Sequence, residues 1–388
     1  MTAEKPAEKW RERRLQSQAR VAILALPKPG GIAYYGALLA NAMSRHFEVM
    51  LVTSEEMRKF DFDPNLKVAA IRKNKILGAP NPLVYRRIFQ LVKNFQPVLV
   101  HDTSGNAFRW TFGLWPVLAR RWPLIITEHD PAPHPGMGGF FSFLTRRIAW
   151  QSAHHLIVHG KQSRQVLLEA GVEPCKVSIT RHGTFAVYNR NRHTEVSEEE
   201  NIVLFFGELR PNKGIHRLAA IARRVRAVFS TARFIVAGRR TKLPSRVASA
   251  KVRRTVAALK AEPGFEVYDR FIEDDEVERL FRRSAVVMLP YEEASQSGVI
   301  PVAYAFGKPV VAFDVGDLNE SIIDGETGIL VGPGDEDGFA RAVIGLLNDK
   351  IRRHEMGKNA NLWAQRELSW NVIADRTAQI YNLVLSRA

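Results

Sequence analysis

The strongest constraint on this chain is a recurring pattern: a short, unbroken apolar run, a loop marked by glycine or proline, then a stretch with helical spacing. Residues 21–26 (VAILAL) run into Pro27-Lys28-Pro29-Gly30-Gly31, after which Ile32, Tyr35, Leu38, Leu39 and Met43 recur at helical spacing. A strand without polar alternation is buried on both faces, which requires helices above and below a parallel sheet. Residues 47–53, 68–71, 98–100 and 124–127 read as further strands, and residues 83–95 as a helix ended by the turn at Gln96-Pro97.

The pattern restarts after residue 200. Residues 202–206 form a strand, 207–213 a loop, and Ile215, Leu218, Ala222, Val225 and Phe229 the buried stripe of a helix. A strand at 234–237 ends in Gly238, and strands follow at 286–289 and 310–313. Acids open and arginines close a helix over 274–283, as the helix dipole favours, with Val277, Leu280 and Phe281 facing inward. Residues 186–200 are polar and aperiodic, and 361–385 read as one long helix. The expected fold is α/β, with two Rossmann-like, doubly wound domains facing a cleft. The expected boundaries are 1–185, a linker at 186–200, a second domain at 201–365 and a final helical segment at 366–388.

Composition narrows the class. With 46% hydrophobic and 25% charged residues among 388, the chain is globular rather than disordered. A single cysteine, Cys175, rules out an intrachain disulfide and any multi-cysteine metal site, and fits a reducing compartment. No run approaches the roughly 18 apolar residues of a membrane span, and only six apolar residues follow the basic N-terminal segment before Pro27, too few for a signal peptide. A cytoplasmic protein is expected. The net charge of +16 is uneven: residues 1–200 hold 28 bases and 17 acids, against 28 and 23 in the remainder. Such a field favours an anionic partner, including a membrane surface, to which the segment from Lys9 to Arg20 contributes. Nucleic acid has charge alone in its favour, with no recognition motif.

Two loops stand out. Gly207-Glu208-Leu209-Arg210-Pro211-Asn212-Lys213-Gly214 joins a strand end to a helix start, where backbone N–H groups favour an anion and Arg210 and Lys213 add two cations. Glu293-Ala294-Ser295-Gln296-Ser297-Gly298-Val299 is a second strand-to-helix junction, where Ser297 or Gly298 can cap the helix. A solvated turn and an ordinary capped helix account for the same spacings. In the first half, His129 follows the strand at 124–127 between Glu128 and Asp130, placed to meet developing negative charge or a substrate. His134 lies five residues on; a metal site would need a third ligand motif, and none accompanies them. Arg239 and Arg240 follow Gly238 and suit a phosphate or a solvated surface; His154, His155, His159 and His182 show no readable spacing.

Taken together, the Gly30-Gly31 loop, Glu128-His129-Asp130, the segment FFGELRPNKG and the stretch AFGKPVVAFDVGDLNESIIDGETGILVGPGD from Ala305 to Asp335 give a resemblance to a known family. The chain resembles the retaining glycosyltransferases of family four, of GT-B architecture, over nearly its whole length and most strongly from Asn201 to Asp349. The resemblance implies a nucleoside-diphosphate sugar donor held mainly by the C-terminal domain, a glycan or lipid-linked acceptor on the N-terminal one, no cofactor and no required metal. It implies that Arg210 and Lys213 bind the donor diphosphate, that the amides near Ser297 and Gly298 receive the distal phosphate with Gln296 and Val299 also at the donor, and that Gly30 and Gly31 let the phosphates or the acceptor approach the first loop. His129 then contacts the transferred sugar, and the C-terminal helix crosses back onto the N-terminal domain.

Two positions depart from the family pattern. Where the family often carries an arginine, this chain has Glu208, so Arg210 must supply the charge. The family's pair of glutamates falls on Ala294 and Val302, neither acidic; Glu293, one residue earlier, takes the sugar-contacting role, and the ribose contact has no evident replacement. The expected function is retaining hexosyl transfer in bacterial surface polysaccharide synthesis, at the inner face of the cell membrane. The alternative is a non-catalytic nucleotide- or glycan-binding relative with an altered donor site.

Overall fold

The computed structural model describes residues 19–72, 75–76, 79–105, 113–132, 140–190, 192–241, 243 and 245–387. The segment from Lys9 to Arg20, except its last two residues, and His134 lie outside the described residues. The described residues of 19–131, 140–182 and 370–387 form one compact unit, and Gly183–Ser369 a second.

The first unit is a seven-stranded parallel sheet of β1 (Arg20–Ala25), β2 (Glu48–Ser54), β3 (Lys67–Ile71), β4 (Leu99–Asp102), β5 (Leu124–Thr127), β6 (His155–Val158) and β7 (Val177–Ile179), in the order 3-2-1-4-5-6-7. Helices α1 (Gly31–Met43), α2 (Pro82–Phe95), α3 (Trp115–Ala119), α4 (Phe140–Ser152) and α5 (Lys161–Glu169) connect them. Strands β4, β5 and β6 are buried at every residue, including the polar His101, Asp102, Thr127 and His155 at their ends.

The second unit repeats the plan. Strands β8 (Ile202–Phe206), β9 (Arg233–Ala237), β10 (Phe265–Tyr268), β11 (Val286–Leu289), β12 (Val310–Phe313) and β13 (Gly328–Val331) lie in the order 10-9-8-11-12-13, all parallel. Its helices are α6 (Leu218–Val228), α7 (Arg246–Ala261), α8 (Asp274–Arg283), α9 (Val299–Ala305), α10 (Glu336–Asn348) and α11 (Lys350–Glu367). Helix α8 carries a capping box between Glu273 and Glu276, which fixes the acid-rich start read from the sequence. The polar segment before β8 is tied to this unit through Glu198, whose carboxylate meets Lys308 Nζ at 2.6 Å and the fully buried Arg353 at 3.1 Å.

The single helix expected over 361–385 is two. Helix α11 ends at Glu367, the buried Leu368 and Ser369 break the run, and α12 (Trp370–Arg387) starts anew. Apolar residues recur on both sides of the break, so spacing alone did not reveal it. Helix α12 packs on α1, and its buried Tyr381 hydroxyl meets His101 Nδ1 at 2.7 Å, returning the end of the chain to the first unit. In both units the strand order reverses beside the first strand, between β1 and β4 and between β8 and β11, where the departing loops splay apart and leave room for a ligand.

Candidate functional site

At the reversal point of the second unit, the loop after β8 contains a 3-10 turn at Pro211–Lys213. It is fastened to the loop after β11 by the Asn212 carbonyl, which accepts from the backbone N–H groups of Glu292 at 2.9 Å and Glu293 at 3.4 Å. Gly214, at φ +67°, makes that contact feasible, because a Cβ there would stand 1.7 Å from the Pro290 carbonyl oxygen. Gly316, at φ +60°, brings the loop after β12 in the same way: its Cβ would stand 1.5 Å from the Ala294 carbonyl oxygen. Three loops separated in sequence thus meet at one corner.

Side chains singled out in the sequence converge here. Lys213 Nζ stands 3.7 Å from the centre of the Tyr291 ring, a cation on an aromatic face. The Tyr291 hydroxyl is 3.4 Å from Ser297 Oγ, which accepts from the Val299 N–H at 3.3 Å where Gly298 caps α9. Burial pushes the Tyr291 phenol up to about 12, against the opposing pull of Ser297 and of the Arg210 charge, so it stays neutral beside an anion. Gln296 Oε1 is buried without a hydrogen-bond partner, an acceptor lacking its donor. The Glu293 side chain is exposed on the same loop, whereas Glu292 is engaged by Arg217 at 2.9 Å and His216 at 3.1 Å.

Glu208 plays a part that sequence reasoning did not assign. Its carboxylate accepts from Thr241 Oγ1 at 3.0 Å and stands 3.5 Å from both Arg210 Nε and Arg239 Nη2. The Arg210 contact is an ion-pair distance without hydrogen-bond geometry, leaving Nε unsatisfied. One acid therefore gathers two arginines, and the corner keeps a positive excess. Adjacent in sequence, Arg239 and Arg240 part here, because Arg240 pairs with Asp269 at 2.9 Å. The clue was topological: Arg239 follows the end of β9, which neighbours β8 in register. Ala294 and Val302, at the family's glutamate positions, are buried apolar residues.

The reversal point of the first unit is built from different chemistry. Gly30 precedes the first residue of α1, Gly31, at φ +147°, and a Cβ on Gly30 would meet nothing closer than the Lys28 carbonyl oxygen at 4.0 Å. Beyond β4 the polar groups are spent on the protein itself. Ser104 N donates to Asp102 Oδ1 at 2.8 Å, Trp115 Nε1 to Asp102 Oδ2 at 2.7 Å, and Leu26 N to Ser104 Oγ at 3.0 Å.

His129, 3% exposed, sets Nε2 2.9 Å from the Thr103 carbonyl and Nδ1 2.9 Å from His159 Nε2. Burial lowers its pKa, with the Thr103 bond and Asp130 working the other way. Both ring nitrogens have protein partners, so a direct bond to a sugar exchanges or shares one of them. Tyr35 packs against His129, His159, His182 and Trp370 at ring separations of 5.0, 5.3, 5.1 and 5.3 Å. His159 and His182 were unreadable in the sequence by spacing. The available signal was again topological, since His129, His159 and His182 follow the carboxyl ends of the adjacent parallel strands β5, β6 and β7. Beside them, burial raises the Glu128 carboxyl to about 7, against the pull of Arg146 and a 3.3 Å bond from Trp150 Nε1. Among the described residues, no three His, Cys, Asp or Glu side chains are grouped to hold a metal ion.

Residues 29–184 match the family described as Glycosyltransferase Family 4, and residues 200–349 match Glycosyl transferases group 1. The chain is 27% identical to glycogen synthase of Mycobacterium tuberculosis over 46% of its own length and 42% of that protein's. It is 30% identical to D-inositol 3-phosphate glycosyltransferase of Corynebacterium efficiens over 54% of its own length and 51% of that protein's. The matches thus span about half the length of these curated relatives. Among solved structures, sucrose-phosphate synthase of Thermosynechococcus elongatus superposes with a TM-score of 0.75 at 19% identity, covering 96% of this chain and 100% of that one. Anabaena HepE in complex with UDP-glucose gives 0.71 at 18% identity, covering 94% and 99%. These structural likenesses, at such low identity, establish the fold of two Rossmann-like domains.

Proposed function

The chain belongs to the glycosyltransferases of family four, and on that premise we propose that it transfers a hexose from a nucleoside-diphosphate sugar to a glycan or lipid-linked acceptor with retention at the anomeric carbon. The observation that carries the reading is the corner at the reversal point of the second unit, where Tyr291 meets Lys213, the charge of Arg210 and Ser297, and where Gln296, next to Ser297 in sequence, leaves its buried carbonyl unsatisfied. A diphosphate suits the cations. A sugar or base N–H or O–H suits Gln296, and the HepE structure, a complex with UDP-glucose, supports such a donor.

In the proposed reaction the bond from the anomeric carbon to the diphosphate oxygen breaks, and its electron pair leaves on the distal phosphate. Arg210 and Lys213, with the amides near Ser297 and Gly298, stabilise that charge without a metal, an electrostatic contribution on the order of several kcal/mol. The acceptor hydroxyl attacks from the face the phosphate has left, and its proton passes to the departing phosphate oxygen. Glu293 holds a sugar hydroxyl; the family resemblance gives His129 contact with the transferred sugar. The basic N-terminal half draws the enzyme to an anionic membrane surface, where a lipid-linked acceptor resides. WaaG, a glycosyltransferase involved in lipopolysaccharide biosynthesis, shares the fold with a TM-score of 0.64 at 14% identity and supports an acceptor of that kind.

The test is product analysis. Incubation with UDP-, GDP- and ADP-sugars and saccharide acceptors should give a product with the donor's anomeric configuration by proton coupling; an inverted product contradicts the retaining route. The second reading, a non-catalytic binder, draws on Glu208 and the buried apolar Val302 at the family's charged positions. Turnover with any donor and acceptor removes it.

A further inference from the structure

The histidines of the first unit pose a problem of proton counting. The chain of contacts runs from the Thr103 carbonyl to His129 Nε2 at 2.9 Å, from His129 Nδ1 to His159 Nε2 at 2.9 Å, and from His159 Nδ1 to the Thr180 carbonyl at 2.9 Å. Both ends are carbonyl oxygens, which only accept. Three hydrogen bonds therefore need three ring protons, whereas two neutral imidazoles bring two. In the neutral pair, one of the three contacts sets two lone pairs against each other at hydrogen-bond distance. Binding one proton from solvent on a ring nitrogen completes the chain and leaves a single positive charge shared by the two rings.

We infer that His159 is a positioning residue for His129, and that the two rings act as one unit holding either two or three ring protons, the third completing an unbroken chain from the Thr103 carbonyl to the Thr180 carbonyl. In the neutral pair His159 decides whether His129 Nε2 carries a proton. If His159 donates from Nε2, His129 is fixed as the Nε2–H tautomer; if His159 accepts there, His129 Nε2 becomes a bare acceptor facing a carbonyl. A sugar hydroxyl reaching His129 meets a donor in one case and an acceptor in the other. That consequence rests on the proposed role of His129 at the transferred sugar; the proton count does not.

The groups around the pair set where the third proton is taken up. Tyr35 of α1 faces both rings with a hydroxyl near Thr127 and Thr180 but without hydrogen-bond geometry to either. His182 lies beyond β7, His101 on β4, and Asp130 and Glu128 flank His129, with Arg146 opposite Glu128. Burial holds both rings below the usual histidine value, for His159 well below, with His129 and His182 adding to the effect and Asp130 opposing it. The pair therefore takes up its proton on the acid side of 6.5, and takes one because two charges at this distance in a buried site repel.

The test is long-range proton–nitrogen correlation spectroscopy on full-length protein labelled at its 11 histidines, recorded from pH 8 down to the onset of acid unfolding on wild type, His159→Gln and His129→Gln. In wild type the ring nitrogens of His129 and His159 should move together with one midpoint and a total uptake of one proton. In His159→Gln, whose side-chain amide can donate to His129 Nδ1, His129 should stay the Nε2–H tautomer throughout. His129→Gln reads the same coupling from the His159 side if the first variant does not fold. Two separate midpoints totalling two protons, no uptake before the protein unfolds, or a His129 tautomer indifferent to residue 159 overturns the inference. These spectra need neither donor nor acceptor, so they decide on the pair even where the transferase reading fails.

Discussion

The two units share a strand order and a reversal point, yet fill that point with opposite chemistry. In the first, polar groups are turned inward and bonded to one another, and the titratable rings are buried histidines. In the second, cations gather with a neutral phenol and an unsatisfied amide oxygen. One topology thus supplies two loop clusters of different character, and under the proposed function the cationic cluster of the second unit is the one that suits a diphosphate.

The largest expected effect breaks the second corner by steric means. Gly214→Ala or Gly316→Ala drives a Cβ into a backbone carbonyl at a positive φ, and should cost roughly 2–4 kcal/mol of stability, read as a lowered denaturation midpoint, along with nucleotide binding. Unchanged stability in both variants would mean that the loops do not meet as described. Next, Lys213→Ala or Arg210→Ala should weaken nucleoside-diphosphate binding by roughly 10- to 100-fold, about 1.4–3 kcal/mol, with the fold intact.

Acid should distinguish the units by sign. In the first unit burial lowers His101 to about 3 and His155 to about 4, and also lowers His129, His154 and His159. The unfolded chain then binds more protons, so the stability tied to these rings is full above 6.5 and is lost as pH falls toward the folded values. Glu128, raised to about 7, runs the other way, one carboxyl against five rings. In the second unit a bond to Asp275 raises His193, whose contribution is present below 6.5 and lost as pH rises through its folded value. Hydrogen exchange between pH 7 and pH 5 should show the first unit loosening first; equal protection would contradict the assignment. The smallest effect is expected from Glu208→Gln. Releasing Arg210 and Arg239 from their shared acid should tighten nucleotide binding by about threefold or less, since partly exposed ion pairs are worth little.

Much of this was legible in the sequence, and what escaped it has a physical cause. Unbroken apolar runs announced parallel strands buried on both faces, and the repeat of the pattern after residue 200 announced two such sheets. Arg210, Lys213 and Ser297 could be picked out because strand-to-helix loops combine glycine, cations and a cap within a few residues. Tyr291, Arg239, His159 and His182 could not, because each reaches its site through the sheet rather than along the chain. Helix α7, with Val252, Val256 and Leu259 buried, lay in a segment too rich in arginine and lysine to show its stripe. The departure at Glu208 read as a lost charge, whereas the carboxylate in fact draws a second arginine to the loop.

Calorimetric titration of UDP, GDP and ADP into wild type, Lys213→Ala and His129→Ala tests the contrast between the units most directly. One nucleotide should bind wild type, Lys213→Ala should lose most of that affinity with its fold intact, and His129→Ala should keep it, because the cationic corner proposed for the diphosphate belongs to the second unit. Nucleotide binding that survives in Lys213→Ala and disappears in a folded His129→Ala would place the diphosphate in the wrong unit and contradict the account.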